Sequence, residues 1–125
     1  MLPEVEVQYG QLLQGLPEAA YLCDREGFVR AFNEAAVELW GRTPVLGEDM
    51  WCGSWRLYQP DGTYIPLETC PMAAVLQGVP LTGEEEMIVE RPDHTRRLVR
   101  PRPNVLRDME GNIIGAINID RKSVV

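Results

Sequence analysis

The stretch DREGFVRAFNEAAVELWGR, residues 24–42, decides the fold. Asp24 to Gly27 reads as a tight reversal, because an Asp side chain can bond the backbone ahead of it and Gly supplies a positive φ. Apolar runs flank the reversal, AYLC before it and FVRAF after it, which is the pattern of a β-hairpin. Asn33 then has the chemistry of a helix N-cap, and Glu34 places a carboxylate at the positive end of the helix. Val37, Leu39 and Trp40 follow on neighbouring helical faces. Gly41 ends the helix by entering the left-handed conformation.

The same punctuation recurs along the chain. Turns are expected at Pro60–Thr63, Pro92–Thr95 and Asp108–Asn112. The last two each separate apolar runs, EMIVE from RRLV and NVL from IIGAINI. With the opening hairpin, and with RRLV and NVL taken as parts of one strand, these make five strands, rich enough in β-branched and aromatic residues for an antiparallel sheet. Pro101 and Pro103 cannot donate to a ladder and predict an irregular or bulged segment inside the fourth strand. Residues 33–80 read as helical and irregular; a second helix starts at Cys70-Pro71-Met72, puts Met72, Val75 and Leu76 on one face, and stops at Gly78-Val79-Pro80. Strands at both ends with helices between them make an α+β domain in which helices cover one sheet face.

At 125 residues the chain suits one domain with a single core. Nineteen acidic against twelve basic residues give a net charge of -7. That balance excludes nucleic acid as a partner, since phosphate binding needs clustered Lys and Arg. No apolar run reaches the length of a bilayer and the N-terminus has no signal-peptide pattern, so a cytoplasmic, membrane-free protein is expected. Three cysteines without a CxxC pair predict reduced thiols. In residues 2–18, Val5, Tyr9, Leu12, Leu13 and Leu16 repeat at helical spacing. This stripe suits a helix docked on its own sheet as well as one that dimerises.

The order of elements, and DREGFVRAFNEAAVELWGR above all, resembles the PAS domain family. Gly27 stands in the hairpin turn, Asn33 begins the first central helix and Trp40 lies near its end. WRLYQPDGTYIPLETCPMAAVLQGVP is similar to the central helices of PAS modules in bacterial sensor kinases, and GNIIGAINID to the last strand. The resemblance implies an N-terminal helix over 1–17, a PAS domain over 18–121 and a tail over 122–125. It further implies a sensory module that binds a small molecule or dimerises, with a kinase or another output partner. A homodimer would form through Tyr9, Leu12, Leu13 and Leu16, and the signal would leave at Asp120, which matches the family's exit aspartate. Arg121 and Lys122 depart from the apolar residue and Thr that usually follow it. A mainly apolar cavity would be walled by Trp51, Cys52, Trp55, Met72, Val75 and Leu76. Flavin and haem have no motif support: neither Cys52 nor Cys70 lies between Asn and Arg, and residues 70–77 hold no His.

Chemistry by side chain is thinner. Cys70 at a helix start has the setting of an acidified thiol, and Cys52 beside Trp51 that of a ligand contact, but simple burial is the favoured account of both. A zinc site from Cys23, Cys52, Cys70 and His94 would draw every ligand from a separate element, unlike the paired ligands of structural zinc, so no metal is expected. The competing reading is a small α+β enzyme using Cys70 with His94, or Asp49 as a base. Glu84, Glu85, Glu86 and Glu90 face Arg96, Arg97, Arg100 and Arg102 across a turn, and are expected to pair as exposed charges that set register.

Overall fold

The computed structural model describes residues 10–122. Residues 10–14 are helical, and Val5 and Tyr9 lie outside the described residues. Strands β1 (Ala20–Asp24) and β2 (Val29–Phe32) form the opening hairpin. Asp24 closes it: its carboxylate accepts from the N–H groups of Glu26 (2.9 Å) and Phe28 (3.0 Å). Helix α1 (Glu34–Trp40) follows, with Asn33 as N-cap accepting from Ala36 N–H at 3.0 Å and Gly41 as C-cap at φ 68°.

Between the central helices the structure departs from the expected helical and irregular chain. β3 (Arg56–Tyr58) and β4 (Tyr64–Ile65) make a small hairpin around Pro60–Thr63. Strands of three and two residues are too short to show alternation, so only their turn was visible. A 3-10 turn (Leu67–Thr69) leads into α2 (Pro71–Leu76), with Pro71 in its first turn as expected. The chain ends in β5 (Met87–Glu90), β6 (Arg96–Arg100), β7 (Pro103–Arg107), β8 (Ile113–Ile119) and β9 (Arg121–Lys122).

These strands form one sheet in the order β2-β1-β8-β7 and another in the order β4-β3-β5-β6-β9. One long hairpin joins them, with β6 and β7 on one arm and β8 and β9 on the other. Arg100 pairs with Arg121, and Pro103 with Asn118, so the register runs unbroken across the gap while the ladder is interrupted on both strands at the same level. Pro101 and Pro103 supply the interruption on one strand, and Asp120 lies opposite. Asn118 Oδ1 repairs part of it by accepting the Arg102 N–H at 2.7 Å.

β1 is buried along its whole length because its two faces meet two different clusters. Tyr21 and Cys23 point into the main core with Val29, Trp40, Leu57, Met72, Val89 and Val99. Ala20 and Leu22 point the other way, against Leu13, Ala31, Leu16 and Ile117. The N-terminal stripe therefore docks on its own sheet through Leu13, which is fully buried, while Leu12 remains 68% exposed. Asn33 fastens this arrangement. Buried itself, it accepts from Ala20 N–H (3.0 Å) and donates to the carbonyls of Leu13 (2.9 Å) and Glu18 (2.8 Å), joining helix cap, first strand and N-terminal segment.

The charged hairpin pairs as its sequence predicts, with Glu90 opposite Arg96 and a Glu86–Arg100 bridge of 3.3 Å. Glu90 is not exposed, however. Its side chain is inside, held by His94 Nδ1 at 2.9 Å and Arg96 at 2.8 Å. Those contacts, His94 first, keep its carboxyl below the usual glutamate range.

Candidate functional site

The WCGSW stretch (residues 51–55) crosses from the β2 hairpin to β3 and shapes the centre of the molecule. Trp51 adopts a left-handed backbone (φ 72°), which costs a bulky residue free energy and is held here by its neighbours. Its N–H donates to Gly27 at 2.6 Å. Its carbonyl accepts from Tyr21 OH at 3.0 Å and from the Cys23 thiol at 3.7 Å. Gly27 serves this contact twice: its φ of 99° suits the reversal, and a Cβ there would run into the Trp51 indole. Gly53 lies under Trp40, where a Cβ would likewise strike the ring. Trp40 also meets Tyr21 edge-on at 5.2 Å and Phe32 at 6.3 Å, pairs each adding about 0.5–1.5 kcal/mol beyond area burial.

Of the cavity residues named from sequence, five come together. Cys52 and Met72 are in the main core, and Trp51, Val75 and Leu76 pack half-buried against it. Trp55 stands apart, with Arg56 over its ring at 4.1 Å and His94 edge-on at 5.4 Å. The three cysteines converge, which their separation in sequence did not suggest. All are free and buried, and all three belong to the same core cluster. The neighbouring Cys52 thiol first, against the opposing effect of burial, draws the Cys70 pKa below the ordinary thiol value. Cys70, and after it burial, push the Cys52 thiol up. Burial raises Cys23 as well. Among the described residues no three His, Cys, Asp or Glu side chains are placed to hold a metal.

The nucleophile and base weighed from sequence are not assembled. Cys70 is buried in the core, whereas the His94 ring bonds Glu90 in an exposed turn. Asp49 is occupied by Arg42 (3.1 Å) and the Val45 N–H (2.7 Å).

A cleft of about 510 Å³ opens elsewhere, between the β3–β4 hairpin, α2 and the segment entering β5. Ile65, Pro71, Ala74, Leu81 and Met87 give it apolar walls, and Tyr64, Glu85 and Glu86 add polar groups. Pro71 and Ala74, three residues apart on α2, line the cleft, while Met72 and Ala73 of the same helix are in the core. Sequence reasoning found this helix and chose its core face. The available signal was the PDGT turn with tyrosines on either side, which predicts a hairpin wall that residues 33–80, read as irregular, concealed.

At the exit of the domain, Asp120 is buried. Its N–H donates to Ala19 at 2.9 Å and its carboxyl accepts from Asn118 Nδ2 at 2.9 Å. Burial pushes its pKa up to about 7, against the smaller lowering effect of the Asn118 bond.

No family model matches the sequence, and the search of curated proteins finds no match. Solved structures do match. The PAS domain of an HTR-like protein from Haloarcula marismortui aligns over 98% of this chain and 100% of its own, with a TM-score of 0.60 and 20% identity. The PAS domain of BvgS from Bordetella pertussis aligns over 98% and 88%, with a TM-score of 0.65 and 20% identity. The light-state dimer of the fungal blue-light photoreceptor Vivid aligns over 84% and 77%, with a TM-score of 0.58 and 19% identity. The chain has the PAS fold, an α+β architecture of antiparallel sheet and short helices.

Proposed function

We propose that this PAS-fold chain is a sensory module, spanning residues 18–121 of the sequence, that binds a small molecule and biases the arrangement of a partner. The observation that carries the reading is the 510 Å³ cleft, of a size suited to a small ligand and with walls of mixed apolar and polar residues, built against α2 in a fold shared with PAS and photoreceptor domains. A ligand there touches one face of α2, whose other face carries Met72 into the core beside Cys52, Trp40 and Tyr21. Only a ligand with different affinity for two arrangements shifts them, and α2 links the cleft to the core that such arrangements would repack. Trp51, Cys52, Met72, Val75 and Leu76 then act as the deformable layer behind the cleft.

The test is native mass spectrometry of the purified chain beside an Ala74→Trp variant whose indole fills the cleft. A small molecule bound to the wild type and lost in the variant supports the reading. Binding that Ala74→Trp leaves unchanged, or no bound molecule in the wild type, removes it.

A homodimer is the second reading, favoured by Leu12, which is exposed next to the docked Leu13, and by the half-buried Leu106, Ile117 and Ile119 on the same sheet face. Vivid is a dimer in its light state. Light scattering should give twice the chain mass for the wild type and a monomer for Leu12→Arg; a wild-type monomer at high concentration ends this reading.

A further inference from the structure

We propose, resting on the reading of the cleft beside α2 as a ligand site, that its ligand is an organic cation: a free primary amine whose ammonium meets the Glu85 carboxylate and whose small apolar body lies on Ile65, Ala74, Leu81 and Met87. Charge makes the choice. Glu85 and Glu86 are the charged residues in the walls, and among the described residues no Lys, Arg or His lines the cleft. Glu86 already has a cation, Arg100 at 3.3 Å. Glu85 meets none among the described residues. An anionic ligand would enter against like charge, and a neutral one would leave the carboxylate without a counterion, so a cation is the complementary occupant.

The carboxylate is also held in place. Glu85 Oε1 accepts from the Gly83 N–H and Oε2 from the Thr82 N–H, both at 2.9 Å, while Thr82 Oγ accepts from the Glu84 N–H at 3.1 Å. Each carboxylate oxygen keeps a second acceptor site, since an ionised carboxyl has about four in all. The backbone bonds, Thr82 first, hold the Glu85 carboxyl below the usual glutamate range, so it is an anion at neutral pH. A side chain fixed in advance loses little further freedom when a ligand arrives.

The remaining walls suit the same chemistry. Thr69 Oγ commits its proton to the Pro66 carbonyl at 2.9 Å, so toward a ligand it can only accept. Tyr64 is 54% exposed and brings an aromatic ring, whose face attracts cations. A metal ion is the poorer occupant, because it offers nothing to the apolar walls and no three His, Cys, Asp or Glu side chains among the described residues are placed to hold one. The volume of about 510 Å³ matches a free small molecule.

The experiment titrates the full chain with benzylammonium, benzyl alcohol and benzoate, probes of similar shape and different charge, following backbone amide shifts by NMR at neutral pH and low salt. Benzylammonium should bind about three- to fivefold more tightly than the alcohol, with benzoate weakest, and high salt should shrink the preference. Glu85→Gln should remove the preference and leave the affinity for the alcohol unchanged, while Ala74→Trp should weaken all three probes. Equal affinities for amine and alcohol, tighter binding of benzoate, or an amine preference that survives Glu85→Gln overturns the amine assignment; if Ala74→Trp still weakens binding, the ligand site itself stands. No saturable binding of any probe, or binding that ignores Ala74→Trp, removes both. Should Glu85→Gln fail to fold, the wild-type ranking of the three probes decides alone. Tighter binding of Nα-acetyl-lysine amide than of benzylammonium would assign the cleft to a lysine of another protein and overturn the free amine.

Discussion

Two buried aspartates stand at opposite ends of the β1–β8 ladder and are handled in opposite ways. Asp24, beside the Gly115 pairing, meets a cation: Arg30 Nε lies 2.8 Å from one carboxylate oxygen while the turn N–H groups take the other. Asp120, just past the Ile119–Ala20 pairing, has a single side-chain amide and no cation among the described residues. A buried carboxylate with a guanidinium and two N–H donors is satisfied as an anion; one with a lone amide is satisfied only as the neutral acid. One end of the ladder is thus a fixed corner. The other titrates near neutrality, where the chain crosses between the two sheets.

The largest expected effect joins the Asp120 end to the rest. Asn33→Ala strands the Ala20 N–H and the carbonyls of Leu13 and Glu18 as well as losing the helix cap, and should cost about 3–5 kcal/mol in urea unfolding. A loss below 1 kcal/mol would mean that the N-terminal segment is not anchored there.

Asp120 comes next. Its folded pKa of about 7 exceeds the unfolded value, so the folded state holds the extra proton. Its contribution is fully present below about pH 4, falls as pH rises to about 7, and levels off above, a span on the order of 4 kcal/mol. Asp120→Asn keeps the neutral shape. The variant should match wild type at pH 5 to within about 1–2 kcal/mol and exceed it by on the order of 3 kcal/mol at pH 8. Parallel stability curves for the two proteins would show that the carboxyl is paired or hydrated.

At the fixed corner, Asp24→Ala should cost about 1–3 kcal/mol and raise the exchange rate of the Glu26 and Phe28 amides, without the alkaline gain. The smallest effect belongs to the exposed Glu86–Arg100 pair. Arg100→Ala should change stability by about 0–0.5 kcal/mol, with no difference left at 1 M salt. A larger loss there would give the charged hairpin more than a register role.

Much of the frame was legible because its signals are local. Asp24, Gly27, Asn33 and Gly41 each act on backbone within four residues, so hairpin, cap and helix end follow from the order of residue types. Pro101 and Pro103 announced the interruption between β6 and β7 for the same reason, a missing N–H. The site was less legible. β3 and β4 are too short for periodicity, and the cleft they wall with α2 and Met87 joins residues nearly thirty positions apart. The expected pairing of Glu90 with arginine was right in register, but its burial depended on where His94 turns back.

The sequence alone determined the opening hairpin, the two central helices and the later strands that follow them, the resemblance to PAS domains and the scarcity of nucleic-acid chemistry, since these depend on neighbours along the chain and on net charge. Tertiary structure alone decided that Cys23, Cys52 and Cys70 share one core, that Leu13 docks while Leu12 faces solvent, and that Asp120 meets no cation among the described residues. Those facts depend on distances between residues separated by tens of positions, and on what water is excluded when they meet. A thiol's or carboxyl's chemistry is set by that exclusion and by its partners, neither of which its own sequence neighbours specify.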